Sequence, residues 1–206
     1  MTNVNDIARR LSALSVSGLS DAVQGEGVVS PGLRRFSGSG TVAGPAVTAE
    51  CAEGALGAVF AALEHAHAGD VLCLTAPGHT SYMGDLLATH LSVRGLAAAV
   101  VDGNIRDAAT IAALPVSVFG RGLSPVALRR REAGRPMVAI DLGGVTVHPG
   151  DWVVADLDGV IVIRPDRVLA VLERAEEDAR VEARLMVRIQ AGERPMDAVK
   201  AELGGA

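Results

Sequence analysis

The alternation of short apolar segments with helix-like segments is the feature that most constrains the fold of this 206-residue chain. Residues 97–101 are wholly apolar and residues 71–75 nearly so, which is typical of strands buried on both faces. A helix of small residues is predicted at 54–67. A second helix is predicted at 84–94, where Leu87 and Leu91 lie one turn apart. The pattern therefore predicts an α/β fold.

From residue 137 onward the pattern changes to short strands, which adds an antiparallel component. Strands are predicted at 138–141, 145–147, 152–156 and 160–163, with Asp158-Gly159 as a hairpin signal between the last two. A long helix follows from Pro165-Asp166 to about residue 190, and a short helix begins after Pro195. Because no linker or repeat divides the chain, we predict one domain over residues 1–206 with a C-terminal helical arm at about 166–203.

The first 50 residues carry weaker signals. Two short helices are predicted within the first 25 residues, with Ser20 or Asp21 near the start of the second. Residues 26–40 are rich in Gly, Ser and Pro and are expected to form a loop. Residues 41–50 have β character, but Gly44-Pro45 interrupts them, which is typical of an edge strand or a bulge.

Composition argues against two classes of partner. The formal net charge is -5 and aromatic residues make up 2% of the chain, whereas a nucleic-acid binder needs a basic face and stacking rings. The longest apolar run, residues 55–63, is far shorter than the about 20 residues of a membrane-spanning helix. Residues 1–22 carry Arg9 and Arg10 but no continuous hydrophobic stretch, so they are not expected to act as a secretory signal. We therefore expect a soluble, cytoplasmic protein that binds neither nucleic acid nor membrane.

Two residue counts limit the covalent chemistry. Lys200 is the only lysine and belongs to a polar helical segment, so a Schiff-base mechanism is not expected. Cys51 and Cys73 are the only cysteines, and we expect reduced, buried thiols, with Cys73 inert in the core. The run Arg129-Arg130-Arg131 is typical of a solvated loop, with a role in an interface as the alternative.

Polar residues that follow two apolar strands are the candidates for chemistry. Gly84 and Asp85 open a helix whose unpaired backbone N–H groups can bind an anion. Arg106 and Asp107 follow the second strand after a predicted Gly103-Asn104 turn. Ligands of α/β proteins usually bind at such strand ends. The alternative for Arg106 and Asp107 is an ordinary surface ion pair.

Asp85, followed after 20 residues by Arg106-Asp107, resembles the Asp-x20-Arg-Asp signature of the class II pyruvate aldolases. These are the 4-hydroxy-4-methyl-2-oxoglutarate / 4-carboxy-4-hydroxy-2-oxoadipate aldolases, whose fold is shared with the regulator of ribonuclease activity A. The likeness covers roughly residues 15–200 and is carried by residues 69–72, 75–77, 84–89, 94–95, 143–147, 149–151 and 155–160. It implies a swivelling β/β/α-like domain with mixed β-sheets, a barrel-like core, flanking helices and a long C-terminal helix.

The resemblance also implies a role for individual residues. Arg106 and the helix start would bind the substrate, and Asp107 would hold a divalent cation, Mg²⁺ or Mn²⁺. Asp85 would position a water for proton transfer, and acidic residues of a neighbouring subunit would complete the site. The substrate-binding positions are Gly84, Asp85, Leu86, Leu87 and Arg106, and the catalytic positions are Asp85, Arg106, Glu182 and Asp21.

The alternatives for the acidic residues are structural. Asp85 could stabilise the helix dipole, Asp21 could cap its helix, and Glu182 could be a solvated side chain. His79 and Tyr82 could contact the distal part of a substrate or lie in an exposed loop. The chain departs from its relatives at residues 53–56, where a Gly-Asp-Asn type segment is common. It also has Asp21 where glutamate is commoner, and both changes bear on the choice of substrate.

The resemblance implies a metal-dependent enzyme that cleaves a 4-hydroxy-2-oxo acid to pyruvate, decarboxylates oxaloacetate, or does both through one enolate. It implies a homotrimer or a homohexamer with sites between subunits. One rival is a non-catalytic regulator that binds a protein such as ribonuclease E, although that branch tends to lack the aspartate after the arginine. Another rival is an enzyme that acts on a different 2-oxo acid.

Overall fold

Helices lie at both ends of the chain and alternate with strands in its first half. The computed structural model describes residues 3–127 and 134–204, so Arg129-Arg130-Arg131 lies outside the described residues. The helices are α1 (Val4–Leu11), α2 (Val16–Ala22), α3 (Gly57–Leu63), α4 (Asp85–Val93), α5 (Ala108–Ile111), α6 (Val168–Gln190) and α7 (Pro195–Leu203). None of those in the described ranges has the length and apolar content that crossing a membrane requires.

The strands form one large sheet and one hairpin. They are β1 (Arg34–Ser37), β2 (Val42–Cys51), β3 (Val71–Thr75), β4 (Ser81–Met83), β5 (Ala98–Ile105), β6 (Ser117–Leu123), β7 (Gly134–Pro136), β8 (Ile140–Leu142), β9 (Val145–Val147), β10 (Trp152–Ala155) and β11 (Val160–Ile163). The large sheet has the order β1-β6-β5-β3-β2-β10-β11, with β4 paired to β5 and β7 to β2. The β2-β3, β3-β5, β5-β6 and β4-β5 pairs are parallel, and the other pairs of this sheet are antiparallel. The predicted α/β class with a long C-terminal helix is confirmed.

The prediction of an edge strand at Gly44-Pro45 is wrong. β2 lies inside the sheet because it pairs with β10 through residues 42–45 and with β3 from Ala46 onward. Pro45 stands opposite Trp152, before the pairing with β3 begins. Because Pro45 precedes that pairing, its missing N–H removes no hydrogen bond between β2 and β3.

The second helix begins earlier than predicted. Ser15 precedes α2, and its hydroxyl oxygen accepts a hydrogen bond from the Gly18 N–H at 3.0 Å. That contact caps the helix in the usual way. Asp21 consequently lies in the last turn of α2, and the predictions that Ser20 or Asp21 starts the helix and that Asp21 caps it are wrong.

Three short strands were not predicted. β1 lies within the predicted loop 26–40 and pairs antiparallel with β6. β4 and β7 have three residues each, too few to show a periodic pattern. The predicted Gly103-Asn104 turn is also wrong, because β5 continues through both residues to Ile105. Helix α3 is shorter than the predicted 54–67.

Three apolar clusters hold these elements together. One covers a sheet face with α3, α4 and α5 and includes Leu72, Leu91 and Val101. Another lies on the opposite face, against β8 and β9. The third joins α1, α2 and α6 to β10 and β11. The start of α4 and the end of β5 thus belong to the first cluster, and α2 and α6 to the third.

Candidate functional site

The start of α4 and the end of β5 are brought side by side by backbone pairing. β4 ends at Met83, one residue before Gly84, and runs parallel to the end of β5. The Arg106 N–H donates to the Met83 carbonyl at 2.9 Å. Gly84, Asp85, Arg106 and Asp107 therefore form one cluster, which we name the Arg106 corner.

The Asp107 carboxylate already lies in an anion-binding position of this corner. Its Oδ2 accepts a hydrogen bond from the Asp85 N–H at 3.3 Å and lies 3.2 Å from the Arg106 Nε. The Arg106 and Asp107 side chains are 30% and 36% exposed, so a small solute can reach both. The corner thus combines a cation and a free helix N–H around one carboxylate oxygen.

Gly84 leaves the space that this contact needs. A Cβ at this position would lie 2.7 Å from the Asp107 Oδ2 and 3.1 Å from the Arg106 Nε. The first distance would force the Asp107 carboxylate to shift and the second is tight, although the backbone φ of -132° suits any residue. Glycine therefore leaves the space in which the Asp107 and Arg106 side chains have their present positions.

Asp107 has an unusual backbone conformation. Its φ of 58° and ψ of 35° lie in the left-handed region just before α5. Aspartate tolerates this region better than most residues, at a cost of about 1 kcal/mol. Such conformations are often found at functional sites, where the surrounding structure maintains them. Here the conformation turns the carboxylate towards the start of α4.

The side chains of the other predicted substrate-binding residues, Asp85, Leu86 and Leu87, do not contact the Asp107 carboxylate; Asp85 contacts it through its backbone N–H. Asp85 accepts from the Leu86 N–H through its Oδ1 at 2.7 Å, so it stabilises its own helix start in this structure. The Leu86 side chain is 81% exposed, while Leu87 packs against the first apolar cluster. The apolar side chains of the segment are therefore not the groups that face Asp107.

A defect in β5 lies directly before the corner. The register with β6 shifts between Val101 and Asn104, which places Asp102-Gly103 opposite Arg121. The Asp102 Oδ1 accepts from the Arg121 Nε at 2.6 Å, and its Oδ2 accepts from the Gly143 N–H at 2.8 Å. Bulges near functional sites commonly redirect the residues that follow. Sequence reasoning missed Asp102 and Arg121, although an acidic residue directly after an apolar strand was a visible signal for Asp102.

Asp21 and Glu182 are brought together, but away from the Arg106 corner. They line a cavity of about 100 Å³ between α2 and α6 with Asp178, which we name the acidic cleft. Asp178 pairs with Arg174 at 2.8 Å, whereas Asp21 and Glu182 form no ion pair with any described residue. α2 packs on α6 and β11, whereas α4 packs on α5 and β5, so the acidic cleft and the Arg106 corner lie on different parts of the chain.

Tyr82 and the cysteines serve the core. Tyr82 is buried in β4, and its hydroxyl accepts from the Gly54 N–H at 2.9 Å and donates to the Pro77 carbonyl at 2.8 Å. The prediction of a loop position for Tyr82 is therefore wrong, while His79 is exposed in that loop. Cys51 and Cys73 are free and buried, as predicted. Burial, with a nearby carboxylate adding to it, raises the pKa of each thiol to about 12, so neither is a nucleophile at neutral pH.

Comparison with known proteins identifies the family. Residues 16–162 match the RraA-like family model, described as Aldolase/RraA. The chain belongs to the RraA-like family. A Halalkalibacterium halodurans protein provisionally named 4-hydroxy-4-methyl-2-oxoglutarate aldolase is 34% identical over 84% of this chain and 83% of its own length. The predicted family membership is confirmed.

Solved structures support the same assignment for the fold. A Streptomyces coelicolor protein, an unusual member of the RNase ES inhibitor RraA family, has a TM-score of 0.76 and 28% identity, covering 89% of this chain and 96% of its own. An uncharacterised Pseudomonas syringae protein has a TM-score of 0.84 over 98% and 96% of the two chains, at 21% identity. The relatives of this RraA-like chain thus include an aldolase-named protein and a ribonuclease-inhibitor family member.

A metal ion in this RraA-like chain would have few protein ligands. Within residues 3–127 and 134–204 no three His, Cys, Asp or Glu side chains group in a way that would hold a metal ion. Asp107 nevertheless offers an accessible carboxylate, and its Oδ1 accepts no hydrogen bond from another described residue. A hard cation can be held by one carboxylate when waters and substrate oxygens complete its shell. The corner therefore fits an open Mg²⁺ or Mn²⁺ site and not a closed protein cage.

Proposed function

We propose that this chain is a class II pyruvate aldolase that depends on a divalent metal ion. It would cleave a 4-hydroxy-2-oxo acid to pyruvate and a second oxo compound, and it would also decarboxylate oxaloacetate. The observation that carries the proposal is the contact of the Asp107 Oδ2 with both the Asp85 N–H and the Arg106 guanidinium. A cation and a helix start that hold one carboxylate offer the same contacts to the carboxylate of a 2-oxo acid.

Substrate binding would begin with an exchange of carboxylates. The substrate carboxylate takes the place of the Asp107 Oδ2 against the start of α4 and the Arg106 Nε. Arg106 supports this exchange because its planar guanidinium can bind a carboxylate through two parallel hydrogen bonds. Gly84 supports it because its missing side chain leaves room at that point. The exchange frees the Asp107 carboxylate.

Asp107 is then the residue that would hold Mg²⁺ or Mn²⁺. When bound, such an ion supplies Lewis-acid stabilisation for negative charge that develops on the keto oxygen of the substrate. Arg106 and the backbone N–H groups at the start of α4 would stabilise the same developing negative charge, through a fixed positive charge and fixed dipoles. Retro-aldol cleavage and decarboxylation both leave that charge on pyruvate, so one corner serves both reactions.

Retro-aldol cleavage removes the proton of the 4-hydroxyl group, and the pyruvate enolate that either reaction leaves takes up a proton at carbon, so an acid–base group or a positioned water is needed at the corner. Asp85 belongs to the Arg106 corner, and rotation of its side chain away from the Leu86 N–H would let it position a water. Asp21 and Glu182 would act from a neighbouring subunit of a trimer or hexamer. Their separation from the Arg106 corner within the protomer, and their lack of described cationic partners, support a role across an interface.

A regulatory role is the second candidate function, and one observation favours it. Leu86 and Val93 are 81% and 83% exposed, and they lie seven residues apart on one side of α4. Exposed apolar side chains in such an arrangement are typical of a contact with another protein. A regulator of this kind would bind its partner through α4 and would release no pyruvate.

A coupled assay for pyruvate separates the two functions. Oxaloacetate and 4-hydroxy-4-methyl-2-oxoglutarate are supplied with Mg²⁺, with Mn²⁺, and with a chelator in excess. The proposal predicts pyruvate release with either metal, loss in the chelator and recovery when metal is restored. Asp107→Asn should remove the response to metal, while Asp141→Asn, an exposed carboxylate on β8, is the matched control. Undiminished activity in the chelator, or no activity with any 2-oxo acid and metal, would overturn the proposal.

A further inference from the structure

We propose a second ligand site, for a small organic monocarboxylate with an aliphatic chain, in a cleft beside the start of α6. The cleft has a volume of about 310 Å³, which is within the range of small-molecule sites. It lies between the segment after α2, strands β9 and β11, and the first turn of α6. We name it the α6 cleft.

Aliphatic side chains form the walls of the α6 cleft. Val162 and Ile163 of β11 and Val171 of α6 are buried, and Val23 and Val145 complete the apolar lining. A lining of this kind favours an aliphatic group over water. The ligand that fits the walls therefore has a hydrocarbon portion.

One arginine of the cleft is already neutralised. The Arg167 Nη1 lies 2.6 Å from the Glu26 Oε1, and both residues line the cleft. The pair adds no net charge, and its carboxylate would repel a ligand with two negative charges.

The other arginine retains most of its hydrogen-bonding capacity. The Arg164 Nε is 3.6 Å from the Asp151 Oδ1, longer than a good hydrogen bond. Asp151 is itself only 2% exposed, and its Oδ2 accepts from the His148 N–H at 2.8 Å. Arg164 is half-exposed and forms an ion pair with Asp151, but it donates no hydrogen bond to another described residue, so the N–H groups of its planar fork are available to a carboxylate.

These groups select the charge and the class of the ligand. One available guanidinium above apolar walls matches one carboxylate on a short aliphatic chain. A phosphate with two charges would lack a second free cation and would lie near Glu26. A neutral analogue would leave Arg164 unpaired. The α6 cleft therefore selects a monocarboxylate.

The α6 cleft is separate from the Arg106 corner and does not depend on the proposed function. Its lining comes from the segment after α2 and from β9, β11 and α6, whereas the corner comes from α4 and the end of β5. A ligand bound here would contact none of Gly84, Asp85, Arg106 or Asp107. The two sites can therefore be tested independently.

The test is a titration followed by NMR of the valine and isoleucine methyl groups of the full chain. Butyrate, butyramide and inorganic phosphate are the probes. We expect saturable shifts for Val162 and Val171 with butyrate, and binding weaker by about tenfold or more with butyramide or phosphate. Arg164→Gln should weaken butyrate binding by a similar factor, whereas Arg9→Gln, an exposed arginine of α1, should leave it unchanged.

A second variant protects the test against a loss of folding in Arg164→Gln. Thr146→Trp places a large ring at an exposed lining position of β9 without changing a charge, and it should also abolish the shifts. The proposal is overturned if butyramide binds as tightly as butyrate, or if both variants bind butyrate like the native chain. It is also overturned if butyrate shifts only methyl groups next to α4.

Discussion

The Arg106 corner and the acidic cleft are both predicted parts of one active site, yet they differ in what a single chain supplies. In the corner, a cation, a free helix N–H and a carboxylate already contact one another. In the acidic cleft, Asp21 and Glu182 share a cavity without a described cationic partner. Under the proposed function, the corner would bind the substrate carboxylate with groups from one chain. The cleft can serve the reaction only if its carboxylates approach a ligand held by another chain.

Arg106 should show the largest effect because it provides the only described side-chain cation of the corner. Arg106→Ala is expected to lower kcat/KM for pyruvate release by about 10²–10³-fold, with the melting temperature nearly unchanged. Arg106→Lys should recover only part of the activity, because an ammonium group cannot bind a carboxylate as a planar fork. Steady-state kinetics at saturating metal measure both variants. Normal kinetics in Arg106→Ala would remove the corner from the mechanism.

Gly84→Ala tests whether the corner depends on close contact. The new Cβ would meet the Asp107 Oδ2 at 2.7 Å and should displace both charged side chains. We expect kcat/KM to fall by about 10²-fold, because errors of an ångström in positioning have effects of that order. Gly144→Ala is not a suitable control, because a φ of 87° would strain any side chain at that position. Ala88→Gly is the control, because it lowers the stability of α4 without adding a side chain at the corner. Full activity in Gly84→Ala would show that the space at Gly84 is not needed.

Asp102→Asn tests the bulge that precedes the corner. The variant keeps the size of the side chain but weakens the charge-assisted bond to Arg121, now 2.6 Å long. We expect kcat to fall by about tenfold, roughly 1.4 kcal/mol, in protein that remains folded. Circular dichroism and kinetics on the same sample separate the two effects. A loss of stability with unchanged kcat would mean that the bulge does not position Arg106.

Glu182→Gln and Asp21→Asn test whether the acidic cleft takes part in the reaction. Each should lower activity by about tenfold or more while leaving binding of a pyruvate analogue unchanged, because neither residue belongs to the Arg106 corner. Mixing Arg106→Ala with Glu182→Gln protein should give more activity than either impaired variant alone if sites lie between subunits. No restoration in mixed oligomers of confirmed composition would argue against a shared site.

The smallest expected effect concerns the pair that fastens α1 to α6 near the acidic cleft. Glu176 accepts two hydrogen bonds from Arg10, at 2.7 and 2.9 Å, and the bond to Arg10 holds the pKa of Glu176 below its usual value. A lowered folded-state pKa stabilises the fold above the unfolded-state pKa and loses this effect as pH falls through the folded value. Because solvent screens this pair, Arg10→Gln should cost only about 0.5–1 kcal/mol at pH 7 and much less at about pH 3. Urea unfolding at both pH values measures this, and an equal cost at both would contradict it.

The sequence predicted the elements with strong periodicity and missed those set by tertiary contacts. Helix α4 and strand β3 have their predicted bounds to within a residue, because their apolar patterns and flanking residues agree. Ser15, and not Ser20 or Asp21, caps α2, because several small polar residues compete for that role. The place of β2 inside the sheet depends on where β3 begins, which Gly44-Pro45 cannot reveal.

In the candidate site, too, the sequence predicts what has a local pattern and misses what depends on tertiary contacts. The spacing of Asp85, Arg106 and Asp107 predicted residues that the structure brings together. The contact between Asp102 and Arg121 depends on a register shift across two strands, so no local pattern predicts it. The predicted roles of Asp21 and Glu182 involve a neighbouring chain, and they stay predictions.

The most direct test of the Arg106 corner is a crystal structure with Mn²⁺ and oxalate, a planar analogue of the pyruvate enolate. The account predicts an anomalous manganese peak at Asp107 and an oxalate carboxylate between Arg106 and the N–H groups at the start of α4. Asp107 should then have left its present contact with the Asp85 N–H. Manganese bound elsewhere, with Asp107 still paired to Arg106 and the start of α4, would contradict it.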